Sequence, residues 1–84
     1  MDDDDRLVRP NGATVRRLRH ERSWSKRQLV AAIGEASFVA TGLRDTITPN
    51  VLQWVEEQNE PVPYSTLRMM ARGLGCDPVD ILDE

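Results

Sequence analysis

An all-α domain of five short helices is the fold class this sequence predicts, and three observations predict it. Side chains that cap helix starts recur along the chain, at Asn11, Ser25, Thr48 and Asp77. Between them, apolar residues return at spacings of three and four. Nothing alternates long enough to read as a convincing strand.

The first helix is expected to start after Asn11, with Val15 and Leu18 on its inner face and arginines between them. Ser23-Trp24 breaks that period. Ser25 and Gln28 then have the spacing of a capping box, in which each side chain satisfies the other residue's backbone N–H. The second helix should run to about Ile33, burying Leu29, Val30 and Ile33, with Gly34 as its C-cap. Residues 35–47 carry no clean period and are expected to form a loop. Thr48-Pro49 is a cap followed by proline in the first helical position. It opens a third helix, about 49–58, that buries Leu52 and Val55, with Val51 on the flank. Pro61 and Pro63 give an extended connection. A fourth helix, about 64–74, lines up Leu67, Met70, Ala71 and Leu74 and stops at Gly75. Asp77-Pro78 starts a last short helix whose core residues are Ile81 and Leu82.

At 84 residues the chain has room for one domain. Residues 1–10 read as an acidic disordered tail, because adjacent aspartates repel and Pro10 ends the segment, and residues 11–84 as the folded domain. The composition, 39% hydrophobic and 30% charged, is that of an ordinary globular domain. No apolar run approaches the ~20 residues of a membrane span. The Met-Asp-Asp-Asp-Asp start is the opposite of a basic secretory leader, so a cytoplasmic location is expected. Cys76 stands alone, which excludes an internal disulfide and a thiolate metal cluster, and no cofactor or metal is expected. The net charge of −3 hides an uneven distribution, since residues 10–34 hold six Arg or Lys against Glu21 alone. A basic face can therefore exist on an acidic molecule.

Val15-Arg16-Arg17-Leu18-Arg19 and Trp24-Ser25-Lys26-Arg27-Gln28-Leu29 resemble the first two helices of Xre/Cro-type transcriptional regulators. The likeness continues through Leu52-Gln53-Trp54-Val55-Glu56, Pro63-Tyr64-Ser65-Thr66-Leu67, Ala71, Leu74-Gly75 and Asp77-Pro78, and so covers about residues 12–83. It implies a lambda-repressor-like DNA-binding domain whose second and third helices form a helix-turn-helix, with the third in the major groove. It also implies sequence-specific binding of double-stranded DNA as a homodimer. Asn50 and Gln53 would read base edges, amides being suited to bidentate pairing with adenine. Ser25, Lys26, Arg27, Thr48 and Asn59 would contact the DNA backbone. Arg19 and Glu56 match a pair that fixes the first helix against the third; the alternative is two solvated surface charges.

The departure lies between helices 2 and 3. Gly34 and Thr48 are separated by thirteen residues, about ten more than a tight turn uses. Arg44 in this enlarged loop would reach a phosphate, or Phe38 and Val39 would cover the edge of the core. Trp54 would pack against Phe38 or Val39, touch a thymine methyl or sugar, or mark a protein interface. Helix 3 has no Lys or Arg and ends in Glu56, Glu57 and Glu60, which weakens attraction to phosphates. The competing function is a protein-interaction module, antitoxin-like, built from that acidic end, Trp54 and residues 35–47. A dimer would use Leu74, Val79, Ile81 or Leu82, or the same loop. Nothing suggests an enzyme: His20 lies among arginines, and neither a nucleophile motif nor a phosphate loop is present.

Overall fold

The computed structural model describes residues 5–83, so the disorder expected of residues 1–4 lies outside the described residues. In chain order come β1 (Leu7–Val8), α1 (Gly12–Glu21), α2 (Lys26–Thr41), α3 (Pro49–Gln58), β2 (Val62–Pro63) and α4 (Tyr64–Leu74). A single 3-10 turn, Pro78–Ile81, follows. Among the described residues the architecture is mostly helical, with four α-helices rather than five and a two-stranded sheet that sequence periodicity did not announce.

The helix starts form as their caps require. Asn11 Oδ1 accepts from Thr14 N–H at 3.1 Å, and Thr48 Oγ1 from Val51 N–H at 3.1 Å. At Ser25 the capping box is complete: Gln28 N–H donates to Ser25 Oγ at 3.1 Å, and Ser25 N–H donates to Gln28 Oε1 at 2.7 Å. The bounds of α3 and α4 are those the caps and prolines predict.

The end of α2 is where expectation and structure part. Gly34 does not cap the helix; it lies buried inside it, and α2 runs two further turns to Thr41, with Gly42 in the left-handed conformation at φ 82°. Alanines 31, 32, 36 and 40 favour continuation, and no proline interrupts before Pro49. Ser37 extends the inner stripe of Leu29 and Ile33 at the next four-residue step and is itself buried. The chain then returns alongside the helix it has just left. Ser37 Oγ donates to the Leu43 carbonyl at 2.8 Å and accepts from Asp45 N–H at 3.3 Å. Thr46 Oγ1 donates to the Val30 carbonyl at 2.6 Å. Gly34 gives this return room, since a Cβ there would stand 3.2 Å from Arg44 Cγ and 3.5 Å from Thr46 Cβ. Ile47 re-enters the core. The expected loop is thus a finger, residues 35–46, made of helix going out and extended chain coming back. The return brings Thr46, three residues before α3, alongside Val30 and Gly34 of α2.

The N-terminal segment is also ordered where a disordered tail was expected. Leu7 pairs with Pro63 and Val8 with Val62 in antiparallel register. Tyr64 N–H donates to the Arg6 carbonyl at 2.8 Å on one side, and on the other Asn11 N–H donates to Ile81 O and Asp83 N–H to Arg9 O. Residues 6–11 therefore run between the start of α4 and the C-terminal segment, with Val8 and Pro10 buried. The pairing is between distant residues and leaves no local pattern.

One core joins these elements: Val15 from α1, Leu29 and Ile33 from α2, Leu52 and Val55 from α3, Leu67, Met70, Ala71 and Leu74 from α4, with Ile81 closing it. Burying each large side chain contributes about 1.5–3 kcal/mol. The most extensive contact is α2 against α4. Leu82, expected in the core, is only half-buried at its edge.

Candidate nucleic-acid interface

Helix α3 presents one exposed face. Asn50 and Gln53 are exposed, three residues apart and so one above the other, followed by the half-exposed Trp54 and by Glu57. Thr48 uses its oxygen lone pair to cap the helix, which leaves its O–H proton available as a donor. Ser25 is in the same position at the head of α2, beside the half-buried Lys26 and the exposed Arg27.

Behind this face α3 is fixed to α1. Arg19 Nε donates to Glu56 Oε2 and Nη2 to Glu56 Oε1, each at 2.8 Å, in a buried two-pronged pair. Arg19 Nη1 donates to the Trp24 carbonyl at 2.8 Å, so one guanidinium also fixes the turn into α2. The hydrogen bond to Glu56 is the main cause that raises the Arg19 pKa, against the opposing effect of burial. Among the described residues no buried side-chain nitrogen or oxygen lacks a hydrogen-bond partner. Asn59 takes part in the same joint. It ends α3 in the left-handed conformation at φ 49°, and its Oδ1 accepts from Gly12 N–H at 2.9 Å. The carbonyl end of this expected DNA-backbone contact therefore serves the α1–α3 joint.

Two side chains of this region have surroundings the sequence did not indicate. Arg44 is not poised on a loose loop: Nη1 donates to Glu35 at 2.8 Å and the guanidinium lies 5.2 Å from the Phe38 ring centroid. With Asp45 beside it the finger carries a net negative charge. Trp54 and the finger apolar residues go separate ways. Trp54 lines a groove of about 470 Å³ with Thr46, Val51, Pro61 and Pro63, while Phe38 and Val39 are exposed and cover no core.

The basic stretch is also divided. Arg19 points inward, and Arg22 donates to the Leu18 and Leu74 carbonyls while its guanidinium stacks over Trp24. Arg17 pairs with Glu21 at 2.9 Å. Arg16, Arg17 and His20 line a shallow hollow with Glu56, beside the end of α3 rather than its start. Lys26 and Arg27 remain as the cations at the head of α2.

Cys76 is half-buried against the core, and its thiol pKa is pushed up by burial first and by Asp80 next, with Arg22 opposing. No helix among the described residues is long and apolar enough to cross a membrane. The groups that periodicity missed are Ser37 and Thr46, whose hydroxyls tie the returning chain to α2; the spacing Leu29, Ile33, Ser37 was the available signal. Comparison with protein-family models, with curated proteins and with solved structures returned no match.

Proposed function

We propose that this protein binds double-stranded DNA sequence-specifically as a helix-turn-helix transcriptional regulator of the Xre/Cro type, with α3 in the major groove. The observation that carries this function is the exposure of Asn50 and Gln53 together on the first turns of an α3 whose start is held beside α2. Amide pairs of this kind suit bidentate contact with adenine. Ser25, Lys26 and Arg27 would meet the backbone. The buried Arg19–Glu56 pair supports the same function by fixing α3 rigidly enough to read. Arg44 contributes no phosphate contact in this proposal.

The test is selection of a binding site from a random duplex pool, followed by titration of that site over a salt series. Asn50→Ala with Gln53→Ala should weaken the selected site at least tenfold and leave random duplex unaffected, each bidentate contact being worth about 1–3 kcal/mol. Lys26→Ala and Arg27→Ala should each weaken both duplexes and lower the salt slope by about 1. Unchanged specific binding in the double variant would remove α3 as the reader.

A second function, a protein-interaction module, is favoured by one observation, the Trp54 groove walled by Pro61 and Pro63. It takes precedence if the wild-type chain retains no DNA even at low salt.

A further inference from the structure

Trp54 stands where two surfaces meet. Four residues beyond Asn50 and next to Gln53, it shares the exposed face of α3 and is itself 48% exposed. It also borders a groove of about 470 Å³ along the flank of the helix. Thr48, Val51 and Trp54 line this groove from the α3 side, and Pro61 and Pro63 line it from the connection to α4.

The lining favours a small, neutral, apolar occupant. Among the lining residues the one charged side chain is Glu60, an acid, which repels a phosphate oxygen. A protein partner needs more than the groove offers, since a standard interface covers about 800 Å² on each side. Trp54 is the one large apolar side chain exposed on α3, and the other large exposed apolar residues stand on separate elements.

The rest of the helix says which apolar group arrives. Helix α3 has no arginine or lysine to pair with guanine, and its exposed amides Asn50 and Gln53 pair best with adenine. Each adenine read in this way has a thymine opposite it, and thymine projects its C5 methyl into the same major groove. From Asn50 to Trp54 the helix rises about 6 Å. That compares with about 3.4 Å for one base step along a strand. Resting on the proposed DNA function, we infer that Trp54 and its groove form a thymine-methyl pocket. The methyl belongs to an A·T pair one or two steps from the adenine held by Asn50. Seated there, it exchanges water for the indole and the proline rings. The indole thus adds to the sequence preference without a hydrogen bond, and the site bound by α3 is A·T-rich.

The experiment replaces thymine by uracil, one position at a time, in the duplex site selected by the wild-type chain, and measures Kd. Uracil lacks the C5 methyl and keeps the hydrogen-bonding groups of thymine. At the thymine facing Trp54 the wild type should bind about fourfold more weakly, the effect of returning one methyl-sized group to water. Trp54→Gln should bind the thymine site about fourfold more weakly than wild type and should no longer distinguish it from the uracil site. Trp54→Phe, with a smaller ring, should keep a penalty of about twofold. Asn50→Ala should weaken the thymine and uracil duplexes alike and keep the full penalty, which separates the methyl contact from the amide contact. Binding of the selected site with no uracil penalty at any position overturns the inference and leaves the DNA function standing. A penalty that survives whole in Trp54→Gln does the same. Should Trp54→Gln lose its helical circular dichroism, Trp54→Phe decides in its place, and a penalty there equal to that of the wild type overturns the inference. A wild type that binds no duplex even at low salt overturns both proposals and leaves the groove to a protein partner.

Discussion

At the α1–α3 joint a guanidinium–carboxylate pair is closed off from water, and on the finger an ion pair of the same 2.8 Å length stands in it. Arg19 and Glu56 have exchanged solvent for each other and for the Trp24 carbonyl. Arg44 and Glu35 have kept most of theirs. Identical chemistry at identical distance then has opposite weight. A buried pair gains little over an apolar replacement, yet removal of one partner strands the other charge and costs about 3–5 kcal/mol. An exposed pair costs about 0–1 kcal/mol to break. The joint is where α3 is fixed, and the finger is where the molecule can be altered cheaply.

The largest effect should follow from breaking that contrast directly. Glu56→Ala should lower unfolding stability by about 3–5 kcal/mol in urea titration, much of a small domain's total. Arg44→Ala should change it by less than about 1 kcal/mol. Equal losses would mean that the two pairs are solvated alike and that α3 is not fixed by Arg19.

The joint and the finger also differ in how plainly the sequence announces them. Asn11, Ser25 with Gln28, and Thr48 with Pro49 act within three or four residues of themselves, so the starts of α1, α2 and α3 are legible from local chemistry. The stripe Leu67, Met70, Ala71 and Leu74 is equally local. Likeness to a family, rather than spacing, brought Arg19 and Glu56 together, 37 positions apart. Gly34 shows the limit. A glycine after an apolar stripe has the pattern of a C-cap, and what keeps it inside a helix is the passage of Arg44 and Thr46 ten and twelve positions later. The pairing of Leu7 and Val8 with Val62 and Pro63 is more remote still. Of the candidate interface, residue identity on α3 and at the head of α2 was legible. The commitment of Arg44 to Glu35 and of Asn59 to Gly12 was not, since both depend on the returning chain.

Glycines in the two regions give the next test. A Cβ on Gly12 would fall on the Val55 carbonyl oxygen and within 2.8 Å of the Glu56 carbonyl oxygen, both rigid backbone. Gly12→Ala should therefore force α1 away from α3 and cost at least about 1–3 kcal/mol, the usual range for overpacking. A Cβ on Gly34 meets Arg44 Cγ at 3.2 Å, part of a flexible side chain that can yield. The helix-propensity gain of about 1 kcal/mol from Gly34→Ala should offset that displacement and leave the melting temperature nearly unchanged. A large loss at Gly34 would show that the returning chain is clamped as firmly as the joint.

The smallest effect concerns the finger alone. Ser37 is a buried polar residue whose hydroxyl both donates, to Leu43 O, and accepts, from Asp45 N–H. Ser37→Ala leaves those two backbone groups beside water rather than deep in the core, because Leu43 and Asp45 are themselves exposed. The cost should be about 1 kcal/mol, the net worth of an ordinary hydrogen bond, instead of the larger penalty of a stranded buried group. The loss should also be local. Amide exchange should accelerate at Leu43 and Asp45, while Leu52 and Val55 in α3 keep their protection, because Thr46 still donates to Val30 and Ile47 still enters the core. If protection falls equally at Leu52 and Val55, the finger and the joint form one cooperative unit, and the start of α3 depends on Ser37 as much as on Thr46.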